Sequence, residues 1–332
     1  MTIWARVQSA FGENVAVLVP LVTLFSTAQV TAEELASILE EPAIVSLPRW
    51  GSAPAPAPME RPWGGSPETL AAYHKAHGCG RFVSHIAFLW RDGALLPVEH
   101  PDPIRLSQLK SYEYQRQIAV DNTLAFLNGF EANNMLLYGD RGTGKSSTVK
   151  ALLNEYAPMG LRMIEVPKEY LRQLPDLTGY LSGLPMKFII FIDDLSFSRD
   201  DDNFGALKAV LEGGLASRPE NVILYATSNR RHLLRETFAD RDGDEVHHAD
   251  TVQESVSLSD RFGISLTFLL PDKQRFLDIV AQMAEDRGLQ VERQTLLDAA
   301  ERWALERGAR TPRYARQFIA DAQARLARGG SL

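Results

Sequence analysis

Eight residues, Gly139-Asp140-Arg141-Gly142-Thr143-Gly144-Lys145-Ser146, constrain this chain more than any other stretch. They fit G-x-x-x-x-G-K-[ST], and the spacing has a physical cause. Glycines let the backbone curl so that successive N–H groups point at one anion. The helix that must follow adds the partial positive charge of its N-terminus. The expected phosphate contacts are Gly139, Asp140, Arg141, Gly142, Thr143, Gly144, Lys145, Ser146 and Ser147. Lys145 then reaches the β- and γ-phosphates of a nucleotide, and the Ser146 hydroxyl ligates Mg²⁺. The context agrees. Met135 to Tyr138 is a short apolar run into Gly139, and Ser147 to Tyr156 repeats apolar residues at helical spacing through Val149, Leu152, Leu153 and Tyr156.

A second constellation follows about 50 residues later. Phe188-Ile189-Ile190-Phe191-Ile192-Asp193-Asp194 is a buried strand ending in acid, which brings carboxylates to the C-terminal edge of a sheet. Asp193 is the expected magnesium ligand beside Ser146, and Asp194 is placed to polarise an attacking water. Ala226-Thr227-Ser228-Asn229 ends another apolar strand, and Asn229 is the residue expected to touch the γ-phosphate or the water. Arg230 and Arg231 beside it leave a role for either open.

Continuous apolar runs separated by helical patterns call for a parallel sheet covered on both faces. Strands are expected at Phe82–Trp90, Ala94–Val98, Met135–Tyr138, Arg162–Val166, Phe188–Ile192, Val222–Ala226 and Ser265–Leu270. Asp92-Gly93 marks a hairpin turn between the first two. Helices are expected at Leu106–Leu127, Glu169–Leu181 and Gly205–Leu215, and then three without further strands, Lys273–Arg287, Gln294–Arg307 and Pro312–Arg328. The domain reading is an N-terminal helical region over 1–50, a Pro/Gly-rich linker over 51–68 and a small strand-containing segment over 69–105. An α/β nucleotide-binding core over 106–271 and a helical lid over 272–332 complete it.

Composition narrows the partners. Lys and Arg number 35 against 42 Asp and Glu, a net charge of −7, which argues against a general polyanion binder. From Arg287 onward nine Arg face five acids, an excess that suits a solvated helical surface with one or two phosphate-sensing arginines. The single cysteine, Cys79, excludes a disulfide framework and fits a reducing cytoplasm. His74, His77 and Cys79 lack a fourth ligand nearby for zinc. The longest apolar stretch, Val15 to Phe25, contains Pro20 and falls short of the roughly 20 residues of a membrane span, so no membrane association is expected. Asp200-Asp201-Asp202 and the segment 240–250 with His247-His248 read as solvated loops, and Tyr180-Leu181-Ser182-Gly183 as a glycine-capped helix end.

The order of phosphate loop, Asp193-Asp194, Asn229 and Ser259-Asp260-Arg261-Phe262 resembles the AAA+ ATPases, a branch of the P-loop NTPase fold. The resemblance implies Asn229 as first sensor and Arg261 as the finger supplied to a neighbouring subunit. Gly308-Ala309-Arg310-Thr311-Pro312-Arg313 is similar to the lid-helix start of the Holliday-junction branch-migration ATPases, which implies Arg313 as second sensor. Longer strings, among them Ala132 to Gly139, Leu211 to Leu215 and Ala226 to Leu233, resemble a bacterial AAA+-like ATP-binding family, domain of unknown function 815. That implies ATP and Mg²⁺ as cofactors and a homo-oligomer, a ring or partial ring, acting on an unknown protein client. Most AAA+ enzymes have Asp-Glu where this chain has Asp193-Asp194, so the shorter Asp194 puts the hydrolysis rate in question. Three readings stay open: an ATPase driving a conformational change, a non-hydrolytic ATP-dependent switch or scaffold, and a DNA-associated loader or remodeller. The overall acidity opposes the last.

Overall fold

The computed structural model describes residues 73–74, 78, 80–197, 202–212, 219–229 and 261–332. The expectations for 1–68, for His77 with Cys79, for Asp200-Asp201, for Arg230 and Arg231, for 240–250 and for Ser259-Asp260 lie outside them. The chain divides into two compact units, residues 1–79 with 183–186 and residues 80–182 with 187–332; the sheet, the lid and the site all belong to the second.

Seven strands form one sheet. They are β1 (Ala87–Arg91), β2 (Ala94–Pro97), β3 (Met135–Gly139), β4 (Leu161–Glu165), β5 (Lys187–Ile192), β6 (Val222–Ser228) and β7 (Ile264–Phe268). The spatial order is β2-β1-β4-β5-β6-β3-β7. Only the β1–β2 hairpin is antiparallel, turning at Asp92-Gly93 as expected; the other five pairings are parallel. The strand carrying the phosphate loop therefore stands between β6 and β7, with β4 and β5 beyond. The segment before it contributes an edge hairpin to the same sheet.

Parallel strands need cover on both faces, and the residues supply it. Met135, Leu137, Met163, Ile189, Phe191, Ile223, Tyr225, Leu266 and Phe268 pack against α1 (Glu113–Leu127) and α2 (Lys145–Tyr156) through Ala119, Phe126, Val149, Leu152 and Leu153. The alternating residues Leu136, Ile164, Phe188, Ile190, Ile192 and Leu224 are equally buried on the other side. All seven residues of β6 are buried. The Tyr225 hydroxyl finds partners there in Asn122 Nδ2 at 3.0 Å and Thr123 Oγ1 at 2.8 Å, so this buried polar group is satisfied. Two further helices, α3 (Leu174–Ser182) and α4 (Asp202–Glu212), complete the α/β layer.

Three helices follow β7: α5 (Lys273–Asp286), α6 (Arg293–Glu306) and α7 (Pro312–Ala327). They share a core of their own built on Phe276, Ile279, Val280, Leu296, Ala300, Phe318 and Ile319. Each starts on a side-chain cap. Asp272 accepts from Arg275 N–H, Glu292 from Thr295 N–H, and Thr311 from Tyr314 N–H with Pro312 at the first helical position. A phosphate loop on a parallel sheet, followed by a helical lid, is the AAA+ type of P-loop NTPase fold.

Three elements depart from the sequence reading. Where one helix is expected over Glu169–Leu181, Lys168–Gln173 is a 3₁₀ helix and α3 begins only at Leu174. Residues 81–84 form a helical turn, so β1 begins only at Ala87. The helix expected over Leu106–Leu127 is broken: a 3₁₀ turn (Leu106–Gln108), an extended stretch, and then α1 from Glu113. Ser111 and Tyr112 take φ of 72° and 60° at the break. Long-range partners hold them there. The Tyr112 hydroxyl donates to Leu269 O at 2.5 Å and Arg275 Nε donates to Ser111 Oγ at 2.6 Å.

Candidate functional site

The loop Asp140–Gly144 leaves β3 and runs into α2. Gly139 is obligatory at its start. With φ at 130°, a Cβ there would stand 2.2 Å from the Phe268 carbonyl oxygen. Lys145, on the first turn of α2, is buried, and its ammonium donates to Gly139 O at 2.9 Å, Asp140 O at 2.7 Å and Asn229 Oδ1 at 3.2 Å. Burial pulls its pKa below the ordinary lysine value, against the pull of Asp140, Asp194 and Asp193 in the other direction.

The two acids at the end of β5 meet the loop. Ser146 Oγ donates to Asp193 Oδ1 at 2.6 Å, and Thr227 Oγ1 donates to the same oxygen at 2.5 Å. Asp194 has φ of 51°, the left-handed region that Asp tolerates better than most side chains. Its N–H donates to Thr227 Oγ1 at 3.0 Å, and its Oδ1 accepts from Asn229 Nδ2 at 2.5 Å. Lys145, Ser146, Asp193, Asp194 and Asn229 thus form one hydrogen-bonded cluster at the C-terminal edge of β3, β5 and β6. Ligands bind at that edge in open parallel sheets.

A cavity of about 680 Å³ opens over the cluster. The loop from Arg141 to Thr148 forms its floor, Gln108 to Tyr112 with Arg116 one wall, and Met283, Pro312, Arg313, Arg316 and Gln317 of the lid another. Arg313 is therefore at the site, and its N–H donates to Gly142 O at 3.2 Å. Arg310, two residues before α7, points elsewhere and pairs with Glu301 of α6. The oxygen-rich donor set of Ser146 and Asp193 fits a hard divalent cation such as Mg²⁺, which prefers hydroxyl and carboxylate ligands.

Arg261 is not among the cavity residues. It lies three residues before β7, whose first residue, Ile264, pairs with Met135 at the N-terminal end of β3. The length of β3 separates that end from the phosphate loop, about 13 Å at strand rise. Of the expected site residues, Arg141 to Ser147, Asp193, Asp194, Asn229 and Arg313 line the cavity, while Gly139, Asp140 and Arg261 do not.

Three contributors to the site carry little or no signal in the sequence. Thr227 is hidden in a strand pattern where threonine is an ordinary β-former. Arg316 sits one turn along α7 from Arg313, a spacing that could have flagged it. The wall from Gln108 to Tyr112 was concealed by the apparent continuity of a helix.

Residues 83–326 match the family described as protein of unknown function (DUF815). The chain belongs to this family. Among solved structures, this DUF815 chain is similar to the Thermotoga maritima RuvB Holliday junction branch migration motor. The identity is 17%, over 68% of this chain and 66% of that one, with a TM-score of 0.47. It is also similar to a DNA replication initiation factor, at 18% identity over 68% and 67% of the two chains and a TM-score of 0.42. The DUF815 chain spans just under two thirds of the length of the RuvB chain, 66%.

Proposed function

We propose that this protein binds MgATP in the cavity over the phosphate loop and hydrolyses it to ADP and phosphate. The observation that carries the reading is the single cluster joining Lys145, Ser146, Asp193, Asp194 and Asn229. On this reading the loop N–H groups from Arg141 to Ser147 hold the phosphates; the Asp140 N–H is already held by Phe268 O. The Lys145 ammonium leaves its carbonyl partners for the β- and γ-oxygens, a charge-assisted exchange. Ser146 and Asp193 would hold the magnesium ion, which neutralises phosphate charge when bound. Asp194 orients a water whose oxygen attacks the γ-phosphorus as the bond to the β-phosphate oxygen breaks; the water's proton passes to the Asp194 carboxylate. Asn229 and Arg313 contact the γ-phosphate.

Arg261 stands at the wrong end of β3 for its own site, which favours a role in a neighbour's. We read the active form as a homo-oligomer in which Arg261 of one subunit completes the site of the next. A second reading, a non-hydrolytic switch, draws on the Asp194 carboxylate, which is shorter than the usual glutamate and engaged by Asn229. Its client would be a protein recognised by another part of the chain.

Calorimetry with MgATP, paired with a phosphate-release assay, tests both readings. Wild type should bind and turn over. Lys145→Ala should stay folded and lose tight binding, since each lost charge-assisted bond is worth roughly 1.5–3 kcal/mol. Unchanged affinity in folded Lys145→Ala would sink the nucleotide assignment. Binding with no turnover at any protein concentration would select the switch.

A further inference from the structure

A carboxylate in a phosphate-binding loop is an anion beside an anion site, and its placement demands an explanation. The Asp140 carboxylate is held outside the loop, on the segment that follows β7. Its Oδ2 accepts the Leu270 N–H at 2.7 Å, while the Asp140 N–H donates to Phe268 O at 2.8 Å. Leu270 belongs to the short connection between β7 and the lid; Pro271 and the capping residue Asp272 lead directly into α5. The connection is gripped from the other side by the Tyr112 hydroxyl on Leu269 O at 2.5 Å. Two residues further along the loop, the Gly142 carbonyl accepts the Arg313 N–H, and a Cβ at Gly142 would press on Thr311 at 3.3 Å. The lid is therefore fastened to the phosphate loop at both its entrance, through Asp140, and its last helix, through Gly142.

We infer that Asp140 is a positioning residue whose carboxylate, held on the Leu270 N–H, couples occupancy of the phosphate loop to the first lid helix. An anion bound by the loop amides fixes the backbone of residues 140–144. Segments hydrogen-bonded to that backbone are fixed with it, and their conformational freedom falls together. Asp140 carries this to α5 because its side chain is the direct link from the loop to Leu270. The inference rests on the nucleotide reading proposed above. It adds a role for Asp140 that phosphate binding alone does not require.

The test is hydrogen exchange over residues 269–286 in the full chain, with and without MgADP and the non-hydrolysable β,γ-imido analogue of MgATP, alongside calorimetry. In wild type, nucleotide should slow exchange of this segment at least tenfold. Asp140→Ala should bind the analogue within about tenfold of wild type, yet show less than twofold slowing. Asp140→Asn keeps an oxygen acceptor for Leu270 N–H and should retain most of the protection. Full protection in Asp140→Ala, or its loss in Asp140→Asn to the same degree, overturns the inference. So does wild type that binds nucleotide in the calorimeter without protecting 269–286, a result that needs no variant to fold. Wild type that gives no binding heat overturns the nucleotide reading, and the coupling with it.

Discussion

Thr227→Val is the most informative single change. The side chains have nearly the same shape, so at position 227, 1% exposed, the change is felt through the lost hydroxyl. What goes is one hydroxyl with two bonds. It donates to Asp193 Oδ1 at 2.5 Å and accepts from Asp194 N–H at 3.0 Å. Asp193 keeps the Ser146 hydroxyl, and Asp194 N–H keeps only a longer contact to Asp193 Oδ1 at 3.2 Å. Loss of one charged and one partly compensated bond is worth about 1–3 kcal/mol. Expressed wholly in the barrier to hydrolysis, that is roughly 5- to 150-fold in turnover. The assay is phosphate release at varied magnesium and ATP. Under the proposed chemistry, kcat should fall and half-saturating magnesium should rise, with the KM for ATP moving less than about threefold. Thr227→Ser restores the hydroxyl and should recover most of the loss. Turnover in Thr227→Val within twofold of wild type at saturating magnesium would refute the reasoning. Equal damage in Thr227→Ser, which keeps the hydroxyl and loses only the methyl group, would show that turnover falls with any change of packing at this position and that the two hydroxyl bonds are not the cause.

Gly139→Ala should destabilise the fold by at least about 2 kcal/mol, since its Cβ would overlap the Phe268 carbonyl at 2.2 Å; thermal unfolding measures this. The Lys145 pKa, lowered chiefly by burial, gives MgATP affinity a pH dependence. Phosphates favour the charged ammonium, so affinity should weaken as pH rises through the lowered value, and Lys145→Ala should abolish that slope in calorimetric titrations. Arg261→Ala should bind ATP and lose turnover, as the loss of an arginine supplied in trans costs about 10³–10⁵-fold in comparable systems. Mixing it with Lys145→Ala should restore partial activity, and a mixture that co-assembles but stays inactive argues against the shared site.

What the sequence made legible is what local chemistry specifies. Phe188 to Ile192 has no polar face, so it had to be an interior strand, and β5 spans it. The phosphate loop fixes its own conformation through its glycines. The lid helices repeat apolar residues at the helical period, and α5, α6 and α7 begin within one residue of the expected starts. The illegible parts depend on partners far along the chain. Ser111 and Tyr112 carry no glycine to announce their positive φ, and they are held by Arg275 and Leu269, more than 150 residues away. The apolar period across Leu106–Leu127 continues through the break and conceals it. Asp140 looks like an arbitrary loop residue until Leu270, 130 residues on, is placed against it.

A strand that simply continued would point Asp193 and Asp194 to opposite faces. The left-handed turn at Asp194, φ 51°, instead brings both carboxylates to the cavity. That conformation costs a β-unbranched residue roughly 1–2 kcal/mol, and Asp and Asn meet the cost better than Glu because their short polar groups bond locally. Here the side-chain bond is to Asn229 on the neighbouring strand end, while the backbone N–H of Asp194 bonds Thr227. The aspartate is thus matched to the backbone it stands on, and a glutamate would overshoot Asn229 by about one C–C bond, ~1.5 Å. Asp194→Glu, the change that would restore the commoner acid of AAA+ enzymes, should therefore lower stability by about 1 kcal/mol and slow phosphate release at least tenfold, with ATP binding retained. Asp194→Asn should keep the turn and the stability and lose turnover about 10²-fold. Faster hydrolysis by Asp194→Glu than by wild type would mean that the side chain's length limits the reaction and that the turn does not compensate for it.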